Sequence, residues 1–175
     1  NKCNALVLPG VGSFDPAMEN LRSTELIPYL KDWANQKKPL LGICLGLQLL
    51  FESSEEGDLE GLGILKGHVR RLPSNQGERI PHMGWAPLLS RHACPLLPVN
   101  SKENWMYFVH SFSAIPLNDL DLAATAKFGN TNVTAIVWKG TIGACQFHPE
   151  KSSEAGKKML LRWINWLENL QTDQK

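Results

Sequence analysis

A glycine-flanked cysteine constrains the fold of this 175-residue chain more than any other feature. The pattern Gly-x-Cys-x-Gly at residues 42–46 follows an apolar run, Leu40–Ile43, and precedes an expected helix, Leu45–Phe51. A cysteine on a sharp strand-to-helix turn needs small residues two positions before and after it, because the two backbones approach closely there. The helix N-terminus then favours the reactive thiolate. The pattern therefore predicts a turn that presents Cys44, although an inert buried cysteine explains it about equally well.

The segments on either side of Cys44 alternate between strand and helix patterns. Ala5–Leu8 and Leu40–Ile43 are short apolar runs next to proline or glycine, as expected of buried strands. Ile27–Gln36 has apolar residues on one helical face and ends before Lys-Lys-Pro, and Leu45–Phe51 follows the turn. This order predicts an α/β fold in which helices cover a parallel sheet.

The second half of the chain consists of apolar runs separated by Pro, Gly and Asn. Lys-Gly at 139–140 predicts a tight hairpin turn. Residues 154–170 carry apolar residues every three or four positions and predict a final helix. We therefore expect one domain, residues 1–175, with a mixed central sheet flanked by helices. The expected strands of this half are Ile64–Leu72, Met83–Leu89, Trp105–Phe112, Leu122–Ala126, Val133–Trp138 and Thr141–Phe147.

Composition argues against several classes of function. The net charge is +1 and the two basic pairs are isolated, so neither nucleic acid nor a membrane surface is an expected partner. No apolar run approaches the roughly 18 residues of a membrane-spanning helix. The cysteines form no close pair, so a reduced, cytoplasmic setting is the simplest expectation; they are Cys3, Cys44, Cys94 and Cys145.

The segment Gln-Phe-His-Pro-Glu at 146–150 supplies a candidate base. In an extended chain the side chains of His148 and Glu150 leave on the same side, and Pro149 favours extended geometry at His148. A carboxylate beside an imidazole fixes its tautomer and stabilises its protonated form. Together with Cys44 these residues could form a Cys-His-Glu triad. A surface loop also explains them, and a metal site that adds Cys145 is disfavoured because that cysteine lies inside an apolar strand.

A glycine-rich turn, Pro-Gly-Val-Gly at 9–12, follows the first strand. Acyl transfer needs two backbone N–H donors directed at the developing oxyanion. Leu45, the residue after the candidate nucleophile, is one natural donor. Val11 is the candidate for the other, because glycines on both sides permit unusual backbone angles. Taken alone, this motif is weak, and a simple turn also explains it.

These three motifs, in this order and with several strands between Cys44 and His148, resemble the class I (triad) glutamine amidotransferases over essentially the whole chain. The resemblance implies a flavodoxin-like fold and hydrolysis of glutamine through a cysteine thioester, without a cofactor or a metal. It implies Cys44 as the nucleophile, His148 as the general acid and base, and Glu150 as its orienting carboxylate. The implied oxyanion hole is Val11 and Leu45, and the implied substrate-binding residues are Gly10, Gly12, Gln48, Ser111 and Phe112.

Within this family, three further pieces resemble the glutaminase subunits of imidazole glycerol phosphate synthase in histidine biosynthesis. They are Pro-His-Met-Gly-Trp at 81–85, Val-His-Ser-Phe at 109–112 and the Lys-Ser that follows Glu150. The resemblance implies a heterodimer in which ammonia passes to a cyclase subunit, a (β/α)8 barrel, and Trp85 and Lys151 contact that barrel. A core position is the alternative for Trp85. Ala86 stands where these subunits usually have Asn, which would remove a polar group from the interface.

Three other assignments remain open: another triad amidotransferase, a catalytically silent domain of the same fold, and a cysteine hydrolase unrelated to glutamine. The complete triad argues against the second, and Gln48 and Ser111 argue against the third. The family also has a strand and a helix before the strand that begins here at Ala5. We therefore expect the first β-α unit to be absent and the 175-residue chain to be unstable by itself.

Overall fold

Two β-sheets and four α-helices are present in the part of the chain that the computed structural model describes, residues 3–74, 77–99, 101 and 104–172. Two short 3-10 helices span Asp119–Asp121 and Pro149–Lys151. The other elements, in chain order, are β1 (Leu6–Gly10), α1 (Phe14–Ser23), α2 (Leu26–Asn35), β2 (Leu40–Cys44), α3 (Leu45–Leu49), β3 (Ser53–Ser54), β4 (Gly67–Arg71), β5 (His82–Ser90), β6 (Trp105–His110), β7 (Phe112–Pro116), β8 (Leu122–Phe128), β9 (Thr131–Lys139), β10 (Ile142–Cys145) and α4 (Ser153–Thr172).

The larger sheet has seven strands in the order β1-β2-β10-β9-β8-β5-β6. Strands β1 and β10 pair with β2 in parallel, and the other neighbours are antiparallel. The predicted α/β class with a mixed sheet is therefore confirmed. Because the carboxyl ends of parallel strands meet at one edge, the residues that follow β1, β2 and β10 come together there. Gly10, at the end of β1, pairs directly with Cys44.

Two apolar clusters cover opposite faces of this sheet. Leu40 and Leu41, neighbours on β2, are both fully buried but belong to different clusters, as alternation along a strand requires. The cluster on the Leu40 side includes buried residues of α1, α2 and α3, and the other includes Met159 and Trp163 of α4. Strand β2 is therefore covered on both faces, which explains why its sequence is continuously apolar.

The predicted strand Trp105–Phe112 is wrong as a single element. It breaks at Ser111, where β6 of the larger sheet ends and the chain enters β7 of a smaller sheet with the order β3-β4-β7. The carbonyl of Ser111 accepts a hydrogen bond from the backbone N–H of Leu72 at this crossing. The apolar residues on both sides of His110 and Ser111 carry no signal for a change of sheet, because each of the two strands buries apolar side chains.

Two smaller differences concern α1 and the last hairpin. Helix α1 has no counterpart among the predicted elements, although its buried Phe14, Met18 and Leu21 follow helical spacing. The hairpin turn lies one residue later than predicted, at Gly140 and Thr141, because Lys139 still pairs with Ile142. Gly140 has a φ of 61°, a backbone conformation that glycine adopts readily.

Candidate active site

Cys44 lies on a strained turn between β2 and α3. Its φ of 53° and ψ of −111° are unusual for a residue with a side chain, and such angles cost about 1–3 kcal/mol. A Cβ atom added to Gly46 would lie 1.8 Å from the carbonyl oxygen of Leu8. One added to Gly42 would lie 3.0 Å from backbone atoms of Gly46. The predicted need for small residues on both sides of Cys44 is therefore confirmed.

A cavity of about 330 Å³ opens beside Cys44 at the edge where β1, β2 and β10 end. Most of the predicted catalytic and substrate-binding residues line this cavity, whereas Gly10 and Glu150 do not. Gly10 lies behind it, where an added Cβ would be 3.1 Å from the Cβ of Leu45. Four lining residues were not predicted: Glu56, Pro81, Val109 and His110. The predicted residues that line the cavity are Val11, Gly12, Cys44, Leu45, Gln48, Ser111, Phe112 and His148.

His148 is buried and bonded to Glu150. Its Nδ1 lies 2.7 Å from Oε1 of Glu150, whose side chain is half exposed. His148 itself is extended, with φ −101° and ψ 96°, as Pro149 predicted. The expectation that the extended conformation continues to Glu150 is wrong, since Pro149–Lys151 forms a 3-10 helix. The tight turn nevertheless brings the carboxylate onto the ring, which leaves Nε2 as the nitrogen that can exchange a proton.

The backbone of His148 is fixed by a second set of hydrogen bonds. Its N–H donates to the carbonyl of Tyr107 at 3.0 Å, and its carbonyl accepts from Oγ of Ser152 at 2.6 Å. Oγ of Ser152 in turn accepts from the N–H of Tyr107 at 2.9 Å. The backbone of His148 is therefore held by β6 and by Ser152, while Glu150 holds the ring.

Burial raises the pKa of the Cys44 thiol to about 11. The backbone N–H of Leu45 opposes this through a hydrogen bond, while the negative charge of Glu150 adds to the increase. Smaller opposing contributions come from a hydrogen bond of Gln146 and from the positive charge of Lys151. At neutral pH the resting group is therefore the thiol. The N-terminus of α3 favours the thiolate as expected, through the N–H of Leu45, but desolvation outweighs this contribution.

Gln48 and Gln146 connect the cavity wall to the sulfur. Nε2 of Gln48 donates to the carbonyl of Phe112 and to Oε1 of Gln146, both at 3.1 Å. Nε2 of Gln146 donates to Sγ of Cys44 at 3.8 Å. Both N–H groups of Gln48 are thus used within the protein, and its carbonyl oxygen is the atom that can accept from a ligand.

Glu56 is the carboxylate among the residues that line this cavity. Its Oε2 accepts from the N–H of Phe14 at 3.0 Å, at the start of α1. A negative group at a helix N-terminus is stabilised by the helix dipole. Glu56 therefore presents an ordered negative charge to the cavity. No local motif marks it, since it lies in the loop between β3 and β4.

Trp85 lies on an exposed apolar surface of β5 and β6. Met83, Trp85 and Trp105 are 63%, 49% and 54% exposed, and the ring of Trp85 contacts that of Tyr107 edge-on at 6.0 Å. The core alternative for Trp85 is therefore wrong. Ala86 is 6% exposed and packs in the core. The expectation that Ala86 alters this surface is also wrong, because alternation along β5 turns its side chain inwards.

The described residues contain no group of three or more His, Cys, Asp or Glu side chains that could hold a metal ion. Cys145 is fully buried, and its Sγ lies 3.6 Å from the carbonyl oxygen of Phe147. All four cysteines are free. None of the helices within the described ranges is both long enough and apolar enough to cross a bilayer.

The glutamine amidotransferase class-I family matches residues 2–166, and the chain belongs to this family. It is therefore a glutamine amidotransferase enzyme with the α/β fold of its class. The chain is 66% identical over 168 residues to imidazole glycerol phosphate synthase subunit HisH 2 of Prochlorococcus marinus strain MIT 9313, a match that covers 96% of this chain and 79% of the relative. It is 63% identical over 173 residues to the HisH subunit of Prochlorococcus marinus strain MIT 9211, covering 99% and 81%.

Solved structures agree on the fold. The structure of PurLQS from Thermotoga maritima superposes with a TM-score of 0.68 at 21% identity, over 94% of this chain and 80% of that one. At this low identity the likeness concerns the fold alone. The mixed sheet and its flanking helices therefore have the arrangement expected from the family membership.

Proposed function

We propose that this chain is the glutaminase subunit of an imidazole glycerol phosphate synthase. It hydrolyses L-glutamine to glutamate and ammonia, and passes the ammonia to a cyclase subunit with a (β/α)8 barrel. The cyclase then forms imidazole glycerol phosphate and AICAR in histidine biosynthesis. The observation that carries the proposal is that the strained Cys44 and the Glu150-bonded His148 line one cavity. The high identity to HisH subunits supports the choice within the family.

In the proposed reaction, Sγ of Cys44 attacks the carboxamide carbon of glutamine, and a carbon–sulfur bond forms. Because burial raises the pKa of Cys44, its proton must leave as the bond forms, and Nε2 of His148 is the acceptor. His148 then gives this proton to the departing nitrogen as the carbon–nitrogen bond breaks, which releases ammonia. Water, activated by the same nitrogen, hydrolyses the thioester to glutamate and restores the thiol.

Glu150 keeps the proton on Nδ1 of His148 and stabilises the imidazolium that forms in each half-reaction. The backbone N–H groups of Val11 and Leu45 stabilise the two tetrahedral oxyanions. Support for Leu45 is that its N–H acts on the Cys44 sulfur and lowers the pKa of the thiol. Support for Val11 is that it lines the cavity and lies just after Gly10, the strand partner of Cys44.

The α-ammonium and α-carboxylate of glutamine bind at the wall opposite the triad. Glu56 carries the charge that suits the ammonium, and the free carbonyl oxygen of Gln48 is a second acceptor. The polar backbone around Ser111 and Phe112 holds the carboxylate end, together with the turn that contains Gly10 and Gly12. In this assignment the side-chain N–H groups of Gln48 serve the protein rather than the substrate.

The cyclase subunit binds the exposed apolar surface that contains Met83 and Trp85, and the exposed Lys151, which follows Glu150, is the further predicted contact. Exposed aromatic residues next to a cavity are typical of a protein interface. Pro81 and Val109 line the cavity and lie beside this surface, since Val109 pairs with Met83. Ammonia released at Cys44 would therefore leave towards the partner.

Glutamate release tests the proposal, with the chain measured alone and with its cyclase subunit plus the nucleotide substrate of that subunit. We expect little release from the chain alone and a large increase in the complex. Cys44→Ala should abolish release in the complex, and Glu150→Gln should lower kcat by up to about 10⁴-fold. Strong activity that is indifferent to the barrel would keep the Cys44 chemistry but assign the chain to another amidotransferase branch. Release that survives Cys44→Ala would refute the mechanism.

A further inference from the structure

A chain of hydrogen bonds runs from the start of β5 to the cavity, and two of its residues have no role in the proposed reaction. It begins at His82, whose Nδ1 lies 3.1 Å from Nε2 of His110. Nδ1 of His110 lies 2.8 Å from the carbonyl oxygen of Phe112. The same oxygen accepts from Gln48, which leads on towards Cys44. The two histidines are therefore connected to the wall of the glutamine site.

The carbonyl of Phe112 determines which ring nitrogens of His110 and His82 carry a proton. A carbonyl oxygen only accepts, so Nδ1 of His110 carries a proton. Burial lowers the pKa of His110 to about 4, so its ring is neutral at neutral pH and Nε2 is a bare acceptor. Nδ1 of His82 must then carry a proton in order to donate to it. Only this set of tautomers satisfies both contacts.

Packing holds both rings in place. His82 stacks on Phe108 with a centroid distance of 4.9 Å and an interplanar angle of 20°, and it lies 5.2 Å from the ring of Phe128. His110 is only 5% exposed. His82 is half-buried and immediately precedes Met83, which is exposed. One end of the chain therefore lies under the apolar surface of β5, and the other lies in the cavity wall.

We propose that His82 and His110 are positioning residues for the glutamine site. They hold the carbonyl of Phe112, and through it they orient the Gln48 side chain, whose carbonyl oxygen is left as an acceptor for the substrate. This proposal rests on the proposed function of the cavity. A carbonyl has two lone pairs, and here His110 and Gln48 occupy both. Without the His110 donor, the Phe112 peptide and Gln48 lose their common anchor.

The same contacts give the apolar surface a physical connection to the cavity. A partner bound at Met83 or Trp85 would lie next to His82 on the same strand. His82 in turn sets the ring of His110, and His110 sets the peptide that Gln48 contacts. The described residues thus form a path of three hydrogen bonds from His82, which is next to the exposed Met83, to the Gln48 side chain in the cavity wall.

Nitrogen NMR of the chain labelled with ¹⁵N-histidine tests the tautomers without reference to activity. We expect His110 to be protonated at Nδ1 and bare at Nε2, and His82 to be protonated at Nδ1. The signals are assigned from the spectrum of the His110→Asn variant. A His110 protonated at Nε2 would overturn the proposal whether or not the chain hydrolyses glutamine.

Kinetics in the complex with the cyclase subunit tests the positioning role. His110→Leu removes the donor, and we expect KM for glutamine to rise about tenfold with kcat within about threefold, because ground-state contacts are lost. His110→Asn keeps an N–H near the position of Nδ1 and should stay within about threefold of the natural KM. His82→Leu should raise KM by a smaller factor, and the double Leu variant should be no worse than His110→Leu, because both act through one path.

The outcomes separate this proposal from its premise. A wild-type complex without glutaminase activity counts against the proposed function. In that case the NMR tautomers of His82 and His110 still test whether the hydrogen bonds from His82 to Phe112 exist. Equal KM values for His110→Leu and His110→Asn, or additive effects of the two Leu substitutions, would overturn the positioning role. If His110→Leu does not fold, the half-buried His82 provides the same comparison through His82→Leu and His82→Asn.

Discussion

The alkylation rate of Cys44 measures how strongly the fold suppresses its ionisation. Burial raises the pKa of Cys44 from 9.0 to about 11. Only the thiolate reacts with iodoacetamide, and each pKa unit changes its fraction about tenfold. The reactive fraction at neutral pH is therefore about a hundredfold smaller than that of an unperturbed thiol. We expect alkylation to be slow near pH 7 and to rise about tenfold per pH unit up to about pH 10.

Two substitutions separate the causes of this pKa. Glu150→Gln removes a charge that raises the pKa, so it should speed alkylation, whereas Gln146→Leu removes a hydrogen bond that lowers the pKa and should slow it. The rate is followed by mass spectrometry of the peptide that contains Cys44, with Cys44→Ser as the blank. A rate that levels off at about pH 8 would refute the argument, because Cys44 would then be largely ionised despite its burial.

Three further predictions concern stability and assembly. Gly46→Ala should lower the free energy of unfolding by about 3 kcal/mol in denaturant melts, since the new Cβ overlaps the carbonyl of Leu8. Gly140→Asn is the matched control, because a Cβ there meets no neighbouring atom and asparagine tolerates the positive φ of this position. The free energy of unfolding should fall by about 3 kcal/mol as the pH decreases from about 6.5 to about 4, because the unfolded chain binds a proton at His110 more tightly than the folded chain does. His110→Asn should remove that part of the pH dependence in melts measured across this range. Trp85→Ala should weaken cyclase binding at least about tenfold by calorimetry while changing stability by less than about 1 kcal/mol; an unchanged Kd would contradict the interface assignment.

The turn at Cys44 could be predicted because all its requirements are local. The two glycines lie within two positions of Cys44, and the apolar strand and the helix are continuous with them. The approach of His148 to Cys44 depends on the parallel pairing of β10 with β2, whose ends meet, and no local pattern in the sequence predicts that pairing. The sequence therefore predicts the turn at Cys44 and the two strands of the first half, but not the pairing that brings the strand before His148 to them.

Glu56 and His110 could not be predicted in the same way. Glu56 reaches the cavity from a loop whose path depends on the smaller sheet. His110 lies at the end of β6, and its position depends on the break at Ser111. Both features arise from the register and partners of distant strands, which a period-two apolar pattern does not specify. The raised pKa of Cys44 is a further example, because the helix N-terminus that lowers it is local whereas the burial that raises it depends on the whole fold.

The positive φ of Cys44 makes the residue that catalysis needs different from the residue that would be most stable at this position. Glycine adopts a φ of 53° without the roughly 1–3 kcal/mol that the angle costs other residues. Selection for melting temperature alone would therefore favour glycine at this site, even though the thiol would be lost. A library screened for thermostability should enrich Cys44→Gly, and a library screened for histidine-independent growth should exclude it. The strained turn is thus a position at which natural selection retains a less stable residue for the sake of its sulfur.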